Sequence, residues 1–293
     1  MSSGFVPLIQ SLELTTVSVL GVLSLALLTM GCNWGLEVVK WKKLLNAYMP
    51  VTWKTAIRAV LTGVSFGLFG PNRFGEIVGR VLALPSHKRI DGAVISSING
   101  LAQTAATFTF GVVGLILLVE VYGHQAFGLM ASKVMQITFG LLVVLMLVLY
   151  YRTPFWGKWV ANLKWLGKYR NQLMHLSTVE SSLLSYLYHV SLLRFCTFIV
   201  QYLIVFHFLT GSEAWFDMIA ATVLTLFSST VVPFLPIPDL LIKESMALGY
   251  FELMGFSSEV IATGVFVVWA INIALPAILG SVVLHSYRLF SKA

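Results

Sequence analysis

The chain has 293 residues, of which 58% are apolar and only 11% charged, with a formal net charge of +7. A soluble domain carries about a quarter charged residues, so this composition cannot cover a water-facing surface and leaves no room for a separate soluble domain. The N-terminal residues up to Glu13 carry no Lys or Arg, so no cleavable signal peptide is expected.

In chain order, stretches 14–32, 93–119, 134–150, 191–209 and 260–284 run with almost no charge, near the twenty residues that cross a hydrocarbon core. They are apolar all round rather than along one stripe, the pattern of a membrane bundle. Cys32 and Cys196 lie in such segments without metal-like spacing and read as buried, inert thiols.

Cations mark the cytoplasmic side. They concentrate at Lys40, Lys42, Lys43, Lys54 and Arg58; at Arg73, Arg80, Lys88 and Arg89; at Arg152, Lys158, Lys164, Lys168 and Arg170; and at Arg288 and Lys292. The connections near 120–133, 210–217 and 251–259 are poor in cations and face outward. The N-terminus is then outside and the C-terminus cytoplasmic.

Residues 56–84 therefore begin and end inside, and 214–250 begin and end outside. The first stretch is broken by Gly70, Pro71 and Gly75, the second by Pro233, Pro236 and Pro238. Both read as re-entrant helical hairpins, whose irregular backbone must be buried in protein or line a wet cavity. The predicted fold is an all-α polytopic membrane protein: a helical bundle with two re-entrant hairpins in an inverted repeat. Its single transmembrane domain divides into a first half at 14–119, a linking helix at 134–150, a basic cytoplasmic interfacial segment at 151–180 and a second half at 181–287. In the basic segment Trp156, Trp159 and Trp165 interleave with the lysines, which suits anionic lipid and not nucleic acid.

Charge at membrane depth is costly and points to function or pairing. After Pro71 and Asn72 a new helix would place Arg73, Glu76 and Arg80 on one face. Arg73 and Arg80 would hold an anionic headgroup, since guanidinium bonds phosphate bidentately, with Glu76 orienting them. An interfacial helix wetted by water and lipid phosphate is the alternative. Asp239 and Lys243 are spaced as an ion pair, and Glu244 points to another face. They form either a substrate or proton-coupling site or a self-neutralised pair. Arg194, amid Phe195 and Phe198, needs an acidic partner. Its candidates are Glu76, Asp239, Glu244 or a lipid phosphate. Ser96, Asn99, Gln103 and Thr107 share one helix face, expected to look inward and bond other helices, with Ser228, Ser229, Thr230 and Asn272 meeting the same interior. His189 and His207 read as hydrogen-bonded or interfacial. Gly63 with Gly67, and Gly111 with Gly114, are spaced for close helix contact within one subunit or between two, leaving a homo-oligomer open. No hydrolase, phosphate-loop or metal motif is present, and no cofactor is expected.

The stretch Pro71-Asn72-Arg73-Phe74-Gly75-Glu76 with Arg80, followed by Lys88-Arg89-Ile90-Asp91, resembles the transmembrane region of lysylphosphatidylglycerol synthases and the free-standing flippase-like proteins related to them. That family's later turn, Pro-x-Pro-Gly-Gly-x-Gly-x-x-Glu, is similar to Pro236 through Glu244 here, which keeps the prolines and the glutamate and lacks the glycines. The resemblance implies movement of an anionic phospholipid or lipid-linked headgroup between leaflets of a prokaryotic inner membrane, with membrane lipids as partners. It does not imply lysyl transfer. A membrane-embedded transferase on a phospholipid or polyprenyl-phosphate headgroup, and a non-transporting subunit of an envelope-synthesis complex, remain alternatives at this point.

Overall fold

The computed structural model describes residues 16–69, 73–127, 132–231 and 239–285. Every regular element among them is helical. The first half comprises α1 (Thr16–Asn46), α2 (Trp53–Phe69), α3 (Arg73–Leu82) and α4 (Arg89–Phe127). Then come α5 (Lys133–Tyr151) and two short helices, α6 (Thr153–Ala161) and α7 (Arg170–Ser177). The second half comprises α8 (Ser181–Thr210), α9 (Trp215–Val231), α10 (Asp239–Phe251), α11 (Ser258–Trp269) and α12 (Leu275–His285). A π-helical turn, Ala270–Ala274, joins the last two.

Among the described residues, four helical stretches are long and apolar enough to cross a membrane: Ser18–Asn46, Lys133–Tyr151, Ser181–Thr210 and Ser258–His285. This is the architecture of an integral membrane protein. α4, at 39 residues, is the longest helix and carries the polar stripe on its inner side.

α1 runs on through Lys40, Lys42 and Lys43 to Asn46, beyond the stretch 14–32 expected from the sequence. Lys40 is a fully buried residue of α1, not an interfacial cation. Lys42 and Lys43 leave the helix sideways, over the rings of Trp53 and Tyr186. The two cysteines are also corrected. Cys32 and Cys196 are exposed on the outside of the bundle, because a bundle bathed in lipid has no reason to turn apolar side chains inward only.

Residue contacts give the packing directions. Gln201 bonds the carbonyl of Ala26 and Ser191 bonds Lys40, so α1 and α8 are antiparallel. Thr62 donates to the carbonyl of Gly79, and Gly67 lies against Glu76, so α2 and α3 form an antiparallel pair. α2 also lies against α12, where Ser65 donates to the carbonyl of Ala277 at 2.7 Å. On the other side α4 lies against α9, with Gly111 under Phe227 and Gly114 under Val223. These glycines, like Gly63 against Arg80, serve packing within the chain.

Each half thus places its paired helices against the last helix of the other half. The α2–α3 pair opens beside the C-terminal end of α1, and the α9–α10 pair opens beside the C-terminal end of α8.

Between the halves, α6, α7 and the turn Lys164–Tyr169 form the basic collar, with Phe155, Trp159 and Trp165 exposed. The collar is tied to α4 by His175 Nε2 at 2.8 Å from Asp91, and to the end of α1 by the Tyr48 hydroxyl, which donates to the carbonyl of His175.

Candidate functional site

Glu37 on α1 is 1% exposed. An isolated carboxylate cannot be held in such a place, and three cations surround this one. Arg80 from α3 reaches Glu37 Oε1 with Nη2 at 2.6 Å. Lys40, one turn along α1, puts Nζ 3.0 Å from Oε2. Arg194 from the middle of α8 meets the same Oε2 with Nη1. Asn99 of α4 completes the shell, donating from Nδ2 to Oε1 at 2.6 Å.

The cations are held in turn by neutral groups. Arg194 Nε donates to Asn33 Oδ1 at 3.0 Å, its Nη1 donates to Gln103 Oε1 at 3.0 Å, and its guanidinium lies 5.5 Å from the Trp34 ring centre. Lys40 donates to Ser191 Oγ at 3.0 Å and to Gln103. Arg80 also pairs with Glu76 on its own helix, and the Glu76 side chain remains 31% exposed at the edge of the cluster.

Five ionisable side chains from three elements therefore meet in one place, with Asn99 and Gln103 contributed by a fourth. The formal count is three cations against two carboxylates, an excess of one positive charge. Two buried atoms next to Glu37 have no hydrogen-bond partner among the described residues: Arg80 Nε, a donor, and Asn99 Oδ1, an acceptor. Buried polar atoms are normally paired, so this is where an incoming water or polar ligand atom finds open valences.

The cluster extends toward the π-turn. Trp34 Nε1 donates to the backbone carbonyl of Asn272 at 2.9 Å, and Asn33 Nδ2 donates to Asn272 Oδ1 at 3.4 Å. Asn272 Nδ2, a donor, is a further buried polar atom without a partner among the described residues. A π-turn inserts one extra residue into a helix and occurs frequently at functional sites.

Of the residues singled out in the sequence, Glu76, Arg80, Asn99, Gln103 and Arg194 come together here. Ser96 also faces inward, accepting from Trp41 Nε1 at 3.0 Å. Asn72 and the side chain of Arg73 lie outside the described residues, although Arg73 opens α3. The proline-rich turn before Asp239 lies outside them as well. Asp239 and Lys243 form the expected ion pair at 2.7 Å, but Asp239 is half exposed, and neither it nor Glu244 contacts the Glu37 cluster among the described residues. Ser228 likewise turns away to the Tyr250 hydroxyl. His189 and His207 each bond a backbone carbonyl.

The partner of Arg194 corrects the sequence expectation. It is Glu37, and not Glu76, Asp239 or Glu244. Glu37 carried a readable signal: it is the lone acid of α1, three residues before Lys40 and four after Asn33.

Among the described residues no group of His, Cys, Asp or Glu could hold a metal ion. No protein-family profile, curated protein or solved structure matches the chain.

Proposed function

We propose that this protein is a flippase-like transporter that moves an anionic phospholipid or lipid-linked headgroup between membrane leaflets, through the Glu37 cluster. The observation that carries this reading is the buried excess of cation: Arg80, Arg194 and Lys40 around Glu37, with Glu76 at the edge. Such an arrangement costs several kcal/mol per buried ion before pairing, and an all-apolar contact would stabilise the same helices at less cost. It suits a site that exchanges one anion for another. In the resting state Glu37 neutralises the arginines. An arriving phosphate takes its place on the guanidinium forks, and Glu37 keeps its contact with Lys40.

The architecture supports the same reading. The α2–α3 and α9–α10 pairs are read as re-entrant hairpins from opposite faces. The reciprocal packing of α2 on α12 and α9 on α4 fits an inverted repeat, whose sites lie where broken helices meet. Acyl chains would stay in lipid, so only the headgroup needs a lined path. Rocking of one half against the other along the α1–α8 contact would open the cluster to alternate sides. The likeness of residues 71–91 to the lysylphosphatidylglycerol synthase transmembrane region points in the same direction.

The test is leaflet exchange in proteoliposomes. The pure protein is reconstituted with headgroup-labelled anionic lipids and the outer leaflet is quenched. Exchange above that of empty liposomes for at least one anionic lipid is expected. Wild-type protein no faster than empty liposomes across a panel of anionic lipids contradicts the reading.

A further inference from the structure

The open end of the α2–α3 pair holds a cavity of about 460 Å³ that the cluster does not use. Its walls are the connection after α1, the first turn of α2, the end of α3 and the approach to α4. They include Thr52, Thr55, Lys88 and Arg89 over an apolar floor of Met49 and Leu84. No carboxylate lines it among the described residues. Lys88 and Arg89 form no ion pair with a described residue, and Asp91, the acid nearest in sequence, is engaged with His175.

Arg89 is held in place by Nε, which donates to the carbonyl of Leu84 at 3.3 Å. Its terminal amino groups remain for a ligand. The hydroxyls of Thr52 and Thr55 lie 3.0 Å apart at the start of α2. A guanidinium, an ammonium and the one hydroxyl proton that the Thr52–Thr55 pair leaves free, around a pocket without acid, form a donor set for a phosphate oxyanion. Leu84 lies four residues after Arg80, two past the end of α3, and Arg80 is the residue that reaches Glu37. A phosphate held in this cavity is therefore at the threshold of the buried cluster.

We infer that this cavity binds a phosphate-bearing group, a phosphomonoester or phosphodiester, and is the entry station for the headgroup. Its role rests on the transporter reading. Its ligand rests on its own walls and is tested without transport.

The experiment is native mass spectrometry of the detergent-purified full chain titrated with dioleoyl phosphatidic acid, with and without millimolar inorganic phosphate. Wild type and the charge-conserving K88R/R89K bind the lipid. K88Q/R89Q loses about tenfold in affinity, the size expected for losing charge-assisted hydrogen bonds. The collar variant K158Q/K164Q binds as wild type. Displacement by inorganic phosphate assigns the site to soluble phosphate. Persistence of the lipid assigns it to a lipid headgroup, and either result sustains an oxyanion site. Equal affinity of wild type and K88Q/R89Q overturns it. Intact binding without leaflet exchange would remove the transport role and leave the site.

Discussion

Arg80 Nη2 and Glu37 Oε1 lie 2.6 Å apart with both side chains almost completely shielded. This contact pins the short helix α3 to the long helix α1. It also makes the α2–α3 pair and the α1–α8 contact parts of one electrostatic unit, because Arg194 holds the other oxygen of the same carboxylate.

Breaking that unit from one side is costly. Glu37→Gln leaves three cations with Glu76 as their one carboxylate, and Arg194→Met leaves Glu37 short of a partner. Each single substitution is expected to destabilise the detergent-solubilised protein by about 3–5 kcal/mol, the cost of uncompensated buried charge. The double variant Glu37→Gln/Arg194→Met removes opposite charges together and recovers a large part of the loss. Thermal melting of the three variants checks this. Additive losses would mean that the two residues are not coupled.

Two glycines of α2 separate packing from propensity. A Cβ on Gly63 would stand 2.8 Å from Cγ of Arg80 and 3.0 Å from the carbonyl oxygen of Glu76, so Gly63→Ala must push the Arg80 stem away from Glu37. A Cβ on Gly67 meets Glu76 only at ordinary contact distance, 3.6 Å or more. Gly67→Ala is therefore expected to be neutral or to stabilise by up to about 1 kcal/mol through helix propensity. Gly63→Ala is expected to lower both melting temperature and leaflet exchange. Equal behaviour of the two variants would contradict the close approach.

The Trp41–Ser96 hydrogen bond joins α1 to α4 without touching a charge. Ser96→Ala is expected to cost about 1 kcal/mol of stability, a typical net hydrogen bond, and to leave exchange at the wild-type rate. A large loss of exchange with unchanged melting would place Ser96 inside the pathway instead.

Asp239 and Lys243 are the control for charge that does not join the cluster. Their pair is half exposed at Asp239, and such pairs contribute about 0–1 kcal/mol. Asp239→Asn is expected to melt near wild type and to retain exchange, whereas Arg194→Met loses both. Loss of exchange in Asp239→Asn at wild-type stability would enlarge the site to include α10.

The order of helices was legible because long uncharged stretches and glycine or proline breaks are local properties of the chain. The inward face of α4 was legible for the same reason, since Ser96, Asn99 and Gln103 repeat at helical spacing. The burial of Arg194 could be read from its apolar neighbours. Its pairing with Glu37 could not, because Glu37, though marked as the lone acid of α1, stands 157 positions away and nothing local links the two. Lys40 misled because counting cations by side treats each as facing water. A lysine one turn from an acid can instead be neutralised in the interior, as the 3.0 Å contact to Glu37 does here. Cys32 and Cys196 misled because apolar surroundings in sequence mean burial in water-soluble folds but lipid contact in a membrane bundle.

The most direct measurement is the exchange rate of Glu37→Gln/Arg194→Met in proteoliposomes, beside wild type and Asp239→Asn at matched reconstitution. The double variant keeps the net charge of the cluster but removes Arg194, one of its two guanidinium forks, and Glu37, the anion that a phosphate would replace. It is predicted to fold and to exchange lipid no faster than empty liposomes, while Asp239→Asn exchanges as wild type does. A folded double variant that exchanges anionic lipid at the wild-type rate would show that the Glu37 cluster holds the bundle together and carries no cargo.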